Sequence, residues 1–128
     1  RCLQGRRPLI YQMKIDIRIM YWKEIPLQVE CIQGSKRISL PLNSRFQEGV
    51  DSIAMYDGSY GSDAYLDGFQ WIESNPTEGN LETVLKVKLK EINEGMPENF
   101  ISKIRDLIKE NNRNQSPGAI DHWWSKND

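Results

Sequence analysis

The residue types that most often carry catalysis or bind metals are few and widely spaced in this chain. There is one histidine, His122, near the C-terminus, and the two cysteines, Cys2 and Cys31, form no CxxC pair. A structural zinc site relies on clustered Cys and His ligands, and a Ser-His-Asp or Cys-His arrangement would depend on His122. The sequence therefore predicts no catalytic residues, no metal site, no cofactor and no disulfide-linked oligomer.

Three polar side chains lie where an anion or a substrate could bind. Arg45 and Asp63 fall in or just before the first turn of predicted helices, whose exposed amides favour anions. Asp51 lies on the face of a predicted helix. Simpler structural interpretations exist, because Asp63 complements the helix dipole and Asp51 is a solvated helix residue. We favour the structural interpretation.

The charge balance gives no indication of a nucleic-acid surface. The 128 residues include 17 Lys and Arg and 18 Asp and Glu, for a formal net charge of −1. Lys86, Lys88 and Lys90 would suit phosphates, but glutamates interleave with them, which indicates a solvated helix face. No run approaches the ~20 apolar residues that a membrane-spanning helix needs. We expect neither direct nucleic-acid binding nor a transmembrane segment.

The aromatic residues allow three interpretations that the sequence leaves open. They can belong to the core, line a partner-binding surface or form a ligand pocket, since Trp and Tyr suit all three. The residues in question are Tyr21, Trp22, Tyr56, Tyr60, Tyr65 and Trp71.

Alternation of apolar and polar residues predicts three strands in the N-terminal half. Three sets of alternating residues should face inward: Ile15, Ile17, Ile19 and Tyr21; Leu27, Val29 and Cys31; and Ile38, Leu40 and Leu42. The QGSK sequence between the second and third sets is typical of a hairpin turn. These elements predict an antiparallel three-stranded meander, one face of which must be covered.

About four short helices are expected to cover this sheet, which gives an α+β fold. Ser44 and Gln47 match a capping box for the first helix. A second helix opens at Ser62-Asp63 and carries Tyr65, Leu66, Phe69 and Ile72 on one face. Asn80 can cap a third element over residues 81–92, which is a helix or, by its alternating pattern, a strand. The fourth helix follows Pro97.

Three segments of this fold resemble a known family. The sequences YWKEIPLQV, ISLPLNSRFQEGVDSIAM and GSDAYLDGFQW are similar to the small bacterial domain family labelled virulence factor. The similarity runs from Met13 to Lys109, is most specific from Arg45 to Met55, and departs at Glu24, where the family has Asp. Short members of this family are common in alphaproteobacteria. The resemblance implies no catalytic residues.

The two ends lie outside this similarity and divide the chain into three parts. Residues 1–12 are a basic extension with three arginines and no acid, residues 13–111 form the domain, and residues 112–128 form a polar tail with a Trp-Trp pair. An Arg-rich, acid-free leader is typical of organelle import, although a plain basic tail would have the same composition. We expect partner contacts at Arg6, Arg7, Leu9, Ile10, Trp22, Trp123 and Trp124.

A domain of alphaproteobacterial type with such a leader is what a mitochondrial protein of bacterial descent would look like. The first hypothesis is therefore a non-catalytic accessory subunit on the matrix side of a large assembly, a respiratory or ATP-synthase complex of the inner membrane. Its partners would be other protein subunits. The alternatives are a peripheral mitochondrial ribosomal protein and a small soluble enzyme or ligand-binding protein of one-carbon metabolism.

Overall fold

Within residues 13–125, four β-strands and four α-helices follow one another, beginning with three consecutive strands. The structure is a computed structural model, and these are the residues that it describes. The elements are β1 (Asp16–Trp22), β2 (Ile25–Gln33), β3 (Lys36–Pro41), α1 (Ser44–Asp57), α2 (Asp63–Asp67), β4 (Phe69–Glu73), α3 (Leu81–Gly95), α4 (Phe100–Lys109) and a 3₁₀ turn at Asp121–Trp123. The predicted α+β class is confirmed, but the sheet has one strand more than predicted.

The first three strands form the predicted antiparallel meander, because alternating residues bury one face of each strand. The inward residues of β1 and of the position before it are all buried: Ile15, Ile17, Ile19 and Tyr21. Val29 and Cys31 of β2 are fully buried as well. Leu40 of β3 lies opposite Val29 and so on the predicted inward face, but it is 44% exposed. Since β3 is an outer edge of the sheet, the helices cover it only in part.

The segment after α1 differs from the predicted second helix. Only Asp63–Asp67 is helical, and Phe69–Glu73 instead forms β4, which pairs with β1 in a sheet of order β3-β2-β1-β4. Gly68 stands between the two elements, and a Cβ there would lie 2.7 Å from Nε1 of Trp22. This close approach allows the chain to turn from α2 onto β1, where the alternation of Phe69 and Trp71 with polar Gln70 suits a strand.

The helices α1, α3 and α4 form a layer over one face of the sheet. Residues 81–92 form a helix and not a strand, which were the two predicted alternatives. Asn80 caps α3, as predicted, and its side chain accepts a hydrogen bond from the Thr83 N–H at 3.0 Å. The predicted capping box is wrong, because Ser44 is already helical and Asn43 is the N-cap. Gly49 lets α4 approach α1, since a Cβ there would lie 2.5 Å from Cδ1 of Ile101.

The segment after α4 belongs to the domain, which corrects the predicted boundary at residue 111. Ile120 and Trp124 are 3% and 5% exposed and lie in the same core as the strands and helices. The hydroxyl of Tyr21 donates to Oδ2 of Asp121 at 2.7 Å, which joins the segment to β1. The buried side chains of Ile120 and Trp124 therefore hold the end of the described chain against its own helical layer.

No helix in the described range is long and apolar enough to cross a membrane. Cys31 is free and buried, and Cys2 lies outside residues 13–125.

Candidate interaction surface

Arg45 binds backbone carbonyls at the end of another helix and so has a structural role. Its Nη2 donates to the carbonyl oxygens of Asn93 and Met96, at 2.7 and 2.9 Å. Its Nη1 donates to the carbonyl of Pro97 at 3.0 Å. These acceptors lie at the C-terminal end of α3 and just beyond it, where helix carbonyls lack partners within the helix. The structural interpretation of Arg45 is therefore confirmed, because three of its five N–H donors are bound to backbone carbonyls.

Asp51 and Asp63 have different surroundings. Oδ1 of Asp51 accepts hydrogen bonds from Gln47 at 3.1 Å and from the hydroxyl of Tyr65 at 3.2 Å. Burial and the neighbouring Asp51 carboxylate raise the pKa of Tyr65. Asp63 is exposed in the first turn of α2, where its charge is favourable. Asp51 thus connects α1 to α2, and Asp63 lies alone at a helix start.

The lysine row on α3 lies mainly in solvent, as predicted. Lys86 and Lys90 are exposed. Lys88 is half-buried, pairs with Glu91 at 3.1 Å and lies 5.6 Å from the ring centroid of Trp124. Within residues 13–125 there is no group of three or more His, Cys, Asp and Glu side chains arranged to hold a metal ion.

Two of the predicted partner contacts are wrong, because the side chains are buried within the domain. Trp22 has no exposed surface, and its Nε1 donates to the carbonyl of Tyr65 at 2.8 Å. Trp124 is in the core. Trp123 is half-buried, and Nζ of Lys103 lies 4.2 Å from its ring centroid. Arg6, Arg7, Leu9 and Ile10 lie outside the described residues.

Three aromatic rings surround that of Tyr65. Its ring centroid lies 5.8 Å from that of Trp22, 5.6 Å from that of Tyr60 and 5.4 Å from that of Phe69. The contacts with Tyr60 and Phe69 are edge-to-face, a geometry that the ring quadrupoles favour. The indole of Trp22, which packs against Tyr65, is fully buried, whereas Tyr60 is 56% exposed. The cluster is therefore a rigid support with an exposed outer side.

Exposed aliphatic side chains flank this cluster. Met55 is 63% exposed and lies one turn after Asp51, whose carboxylate accepts the hydrogen bond from the Tyr65 hydroxyl. Leu66, next to Tyr65 on α2, is 67% exposed. The predicted helix face that Leu66 would share with Phe69 and Ile72 does not form, because the helix ends at Asp67. We refer to Met55, Tyr60, Tyr65 and Leu66 as the α2 surface.

A second group that the sequence did not reveal is a set of buried charges around Asp57. Its Oδ2 accepts from Nζ of Lys23 and Nη1 of Arg113, both at 2.9 Å, and its Oδ1 accepts from the hydroxyl of Ser59 at 2.6 Å. Burial alone would raise the pKa of Asp57, but these hydrogen bonds outweigh it and hold the pKa well below its ordinary value. Each of these charges has a partner, so the group serves the fold.

The sequence signals for the two groups differ in kind. Met55, Tyr65 and Leu66 fall in the segments that resemble a family, and Tyr60 and Tyr65 are among the aromatic residues for which the sequence left a partner-binding surface open. No pattern joins Arg113 to Lys23 or Asp57, which are 90 and 56 positions away along the chain. Only the folded chain brings those charges together.

Comparison with known proteins gave a match at the level of the family. A family model with the description "Virulence factor" matches residues 20–108, which include the end of β1, the other three strands and most of the helical layer. Comparisons with curated proteins and with solved structures gave no match.

Proposed function

The chain belongs to the Virulence factor family, and from that premise we propose that its domain is a non-catalytic protein-interaction module, an accessory subunit of a large assembly. The observation that carries the proposal is the α2 surface. Met55 and Leu66 each leave more than 60% of their surface in water, and Tyr60, whose ring packs against that of Tyr65, leaves 56% of its surface in water.

An apolar surface of this kind is costly for a protein that stays alone. Grouped apolar side chains at a surface often mark binding sites, whereas single exposed ones need no explanation. Each such side chain gains roughly 1.5–3 kcal/mol when it is fully buried, and Tyr is enriched among the residues that dominate interfaces. Because Trp22 and Phe69 hold Tyr65 in place, little conformational entropy is lost when a partner covers it.

The location that we propose is the matrix side of the mitochondrial inner membrane, in a respiratory or ATP-synthase complex. It is supported by the composition of residues 1–12, with three arginines and no acid, and by the bacterial setting of the similar domains. The near-neutral charge of the chain favours contacts with protein over contacts with RNA.

Complexome profiling of mitochondria from the source organism tests the proposal. The native protein is expected to migrate with the subunits of one inner-membrane complex at a constant ratio across the gel. Migration as a lone species of 14.9 kDa would contradict the proposal. Co-sedimentation with ribosomal RNA after a high-salt wash would instead indicate a ribosomal protein. A melting temperature that rises with folates or another cofactor would indicate a ligand-binding protein.

A further inference from the structure

The two edges of the sheet differ in how well they are protected against pairing with another strand. The outer strand β3 carries Lys36, Arg37 and Pro41, and charges and proline are the usual means of blocking an edge. The opposite edge, β4, has the sequence FQWIE, with no Lys, Arg or Pro. β4 is therefore the edge of this sheet that is open to a further strand.

The hydrogen bonds between β4 and β1 show which groups of β4 point outward. The N–H of Lys23 donates to the carbonyl of Gly68, and the N–H of Ser74 donates to the carbonyl of Ile17, both at 2.8 Å. In an antiparallel pair, inward and outward residues alternate. Since Gly68 and Ser74 turn toward β1, so do Gln70 and Ile72. The backbone N–H and C=O groups of Phe69, Trp71 and Glu73 consequently point away from the sheet.

The helices leave the side chains of β4 incompletely covered. Ile19 and Ile72 are neighbours in register on the same face, yet Ile19 is 4% exposed and Ile72 is 39% exposed. An open groove beside them is lined by Ile17, Val84 and Val87 among others, and Val87 is 61% exposed. On the other face, the guanidinium carbon of Arg18 lies 4.3 Å from the ring centroid of Trp71.

We propose that β4 is a dimerisation edge, at which two copies of this chain pair β4 with β4 in antiparallel orientation about a two-fold axis through Trp71. In this register Trp71 faces Trp71 and Phe69 faces Glu73, so every outward backbone group of one copy meets one of the other. Each of these residue pairs exchanges two hydrogen bonds. The interface in this register is isologous, because both copies contribute the same strand to it.

The side chains fit this arrangement. Glu73 is the one charged residue of β4, and it faces Phe69 of the other copy, so no like charges lie opposite each other. Glu73 also has Arg18 of its own chain as register neighbour. The exposed Ile72 faces Gln70 of the other copy, whose methylene groups reduce its contact with water. This inference does not depend on the proposed function, because the α2 surface takes no part in the pairing.

Sedimentation equilibrium of the full chain over a range of concentrations tests the dimer. We expect a reversible monomer–dimer equilibrium that reaches twice the 14.9 kDa chain mass. Trp71→Lys places two lysines opposite each other and should weaken the dimer at least ~30-fold, as the loss of one dominant interface residue does. The control Leu40→Lys places a lysine at an exposed position of the β3 edge and should leave the equilibrium unchanged. A chain that is monomeric at every concentration would overturn the proposal.

Cross-linking tests the register, because oxidation traps the pair covalently even where loss of the Trp71 ring weakens the dimer. Residues that face each other as a hydrogen-bonded antiparallel pair have Cα atoms ~5.5 Å apart, within the range that a disulfide spans. In a Cys2→Ser background, Trp71→Cys should therefore cross-link to itself under mild oxidation, and Gln70→Cys should not. Equal cross-linking of both variants, or of neither, would refute the pairing about Trp71.

Discussion

The guanidinium of Arg113 forms a two-pronged ion pair with the carboxylate of Glu24, with distances of 2.7 Å from Nε to Oε2 and 2.9 Å from Nη2 to Oε1. The Glu24 side chain is completely buried and that of Arg113 is 6% exposed. The pair joins the turn between β1 and β2 to the segment after α4. Arg113 lies outside the part of the chain that the family model matches, although Glu24 lies within it.

Removal of Arg113 should strongly destabilise the domain. Arg113→Met leaves the Glu24 carboxylate buried without a partner, and the expected loss is ~3–5 kcal/mol in the free energy of unfolding. The control Arg37→Met removes a 3.8 Å ion pair of a mostly exposed arginine and should cost less than about 1 kcal/mol. Urea unfolding measures both. Equal costs for the two variants would show that the Glu24 carboxylate does not depend on its ion pair.

The two adjacent tryptophans should differ in their effect on stability. Trp124→Ala opens a cavity in the core and should cost ~3–5 kcal/mol. Trp123→Ala removes a ring that is only half-buried and should cost about 1–2 kcal/mol. Thermal unfolding of both variants checks the order. If deletion of residues 113–128 left the melting temperature unchanged, the segment would not belong to the core.

The carboxyl of Asp57 should contribute to acid sensitivity. Its pKa is held below its ordinary value of 3.8 in the folded state, so its stabilising effect is fully present above that value and is lost as the pH falls toward the folded pKa. Asp57→Asn should therefore be less stable than the native chain at neutral pH. The difference in the free energy of unfolding should narrow as the pH falls below 3.8, the ordinary pKa of the carboxyl. Urea unfolding at several pH values measures this difference. A gap that stays constant down to about pH 2 would contradict this assignment.

Arg45 should not be replaceable by lysine. An ammonium cannot reproduce the planar fork that reaches three carbonyl oxygens at the end of α3, and hydrogen bonds from charged groups contribute roughly 1.5–3 kcal/mol. Arg45→Lys should thus cost about 2–3 kcal/mol. The matched control Arg105→Lys affects one hydrogen bond, from Nη2 to the Ser52 hydroxyl, and should cost about 1 kcal/mol or less. Thermal unfolding and amide exchange near Asn93 measure the effect of both substitutions. If the two variants behaved alike, Arg45 would not be needed to bind the carbonyls at the end of α3.

Much of the fold could be predicted because local pattern and tertiary structure agree there. The alternation from Ile15 to Tyr21 and the Asn80 cap before α3 correspond directly to observed elements. The segment after α1 could not be predicted in this way, since Tyr65, Leu66, Phe69 and Ile72 satisfy a helical spacing. Pairing with β1 and the close contact of Gly68 with Trp22 make this segment a strand, and both are tertiary interactions that a local pattern does not reveal.

The site and the end of the domain were harder to predict for a physical reason. Ile120 and Trp124 lie in a segment with little regular structure, so no period indicates that they are buried. Met55 and Leu66 have the residue types of a core, and only the position of α2 beside α1 shows that they are exposed. Burial in such segments depends on neighbours far away in the sequence.

The position of the α2 surface in an assembly can be measured directly with a charge variant. Met55→Glu combined with Leu66→Glu changes two side chains that are more than 60% exposed, so the melting temperature should stay within a few degrees of the native value. Expressed in the source organism and followed by complexome profiling, this variant should move from the complex to low mass, while the control Leu40→Glu stays in the complex. Retention of the folded double variant in the complex would contradict the account.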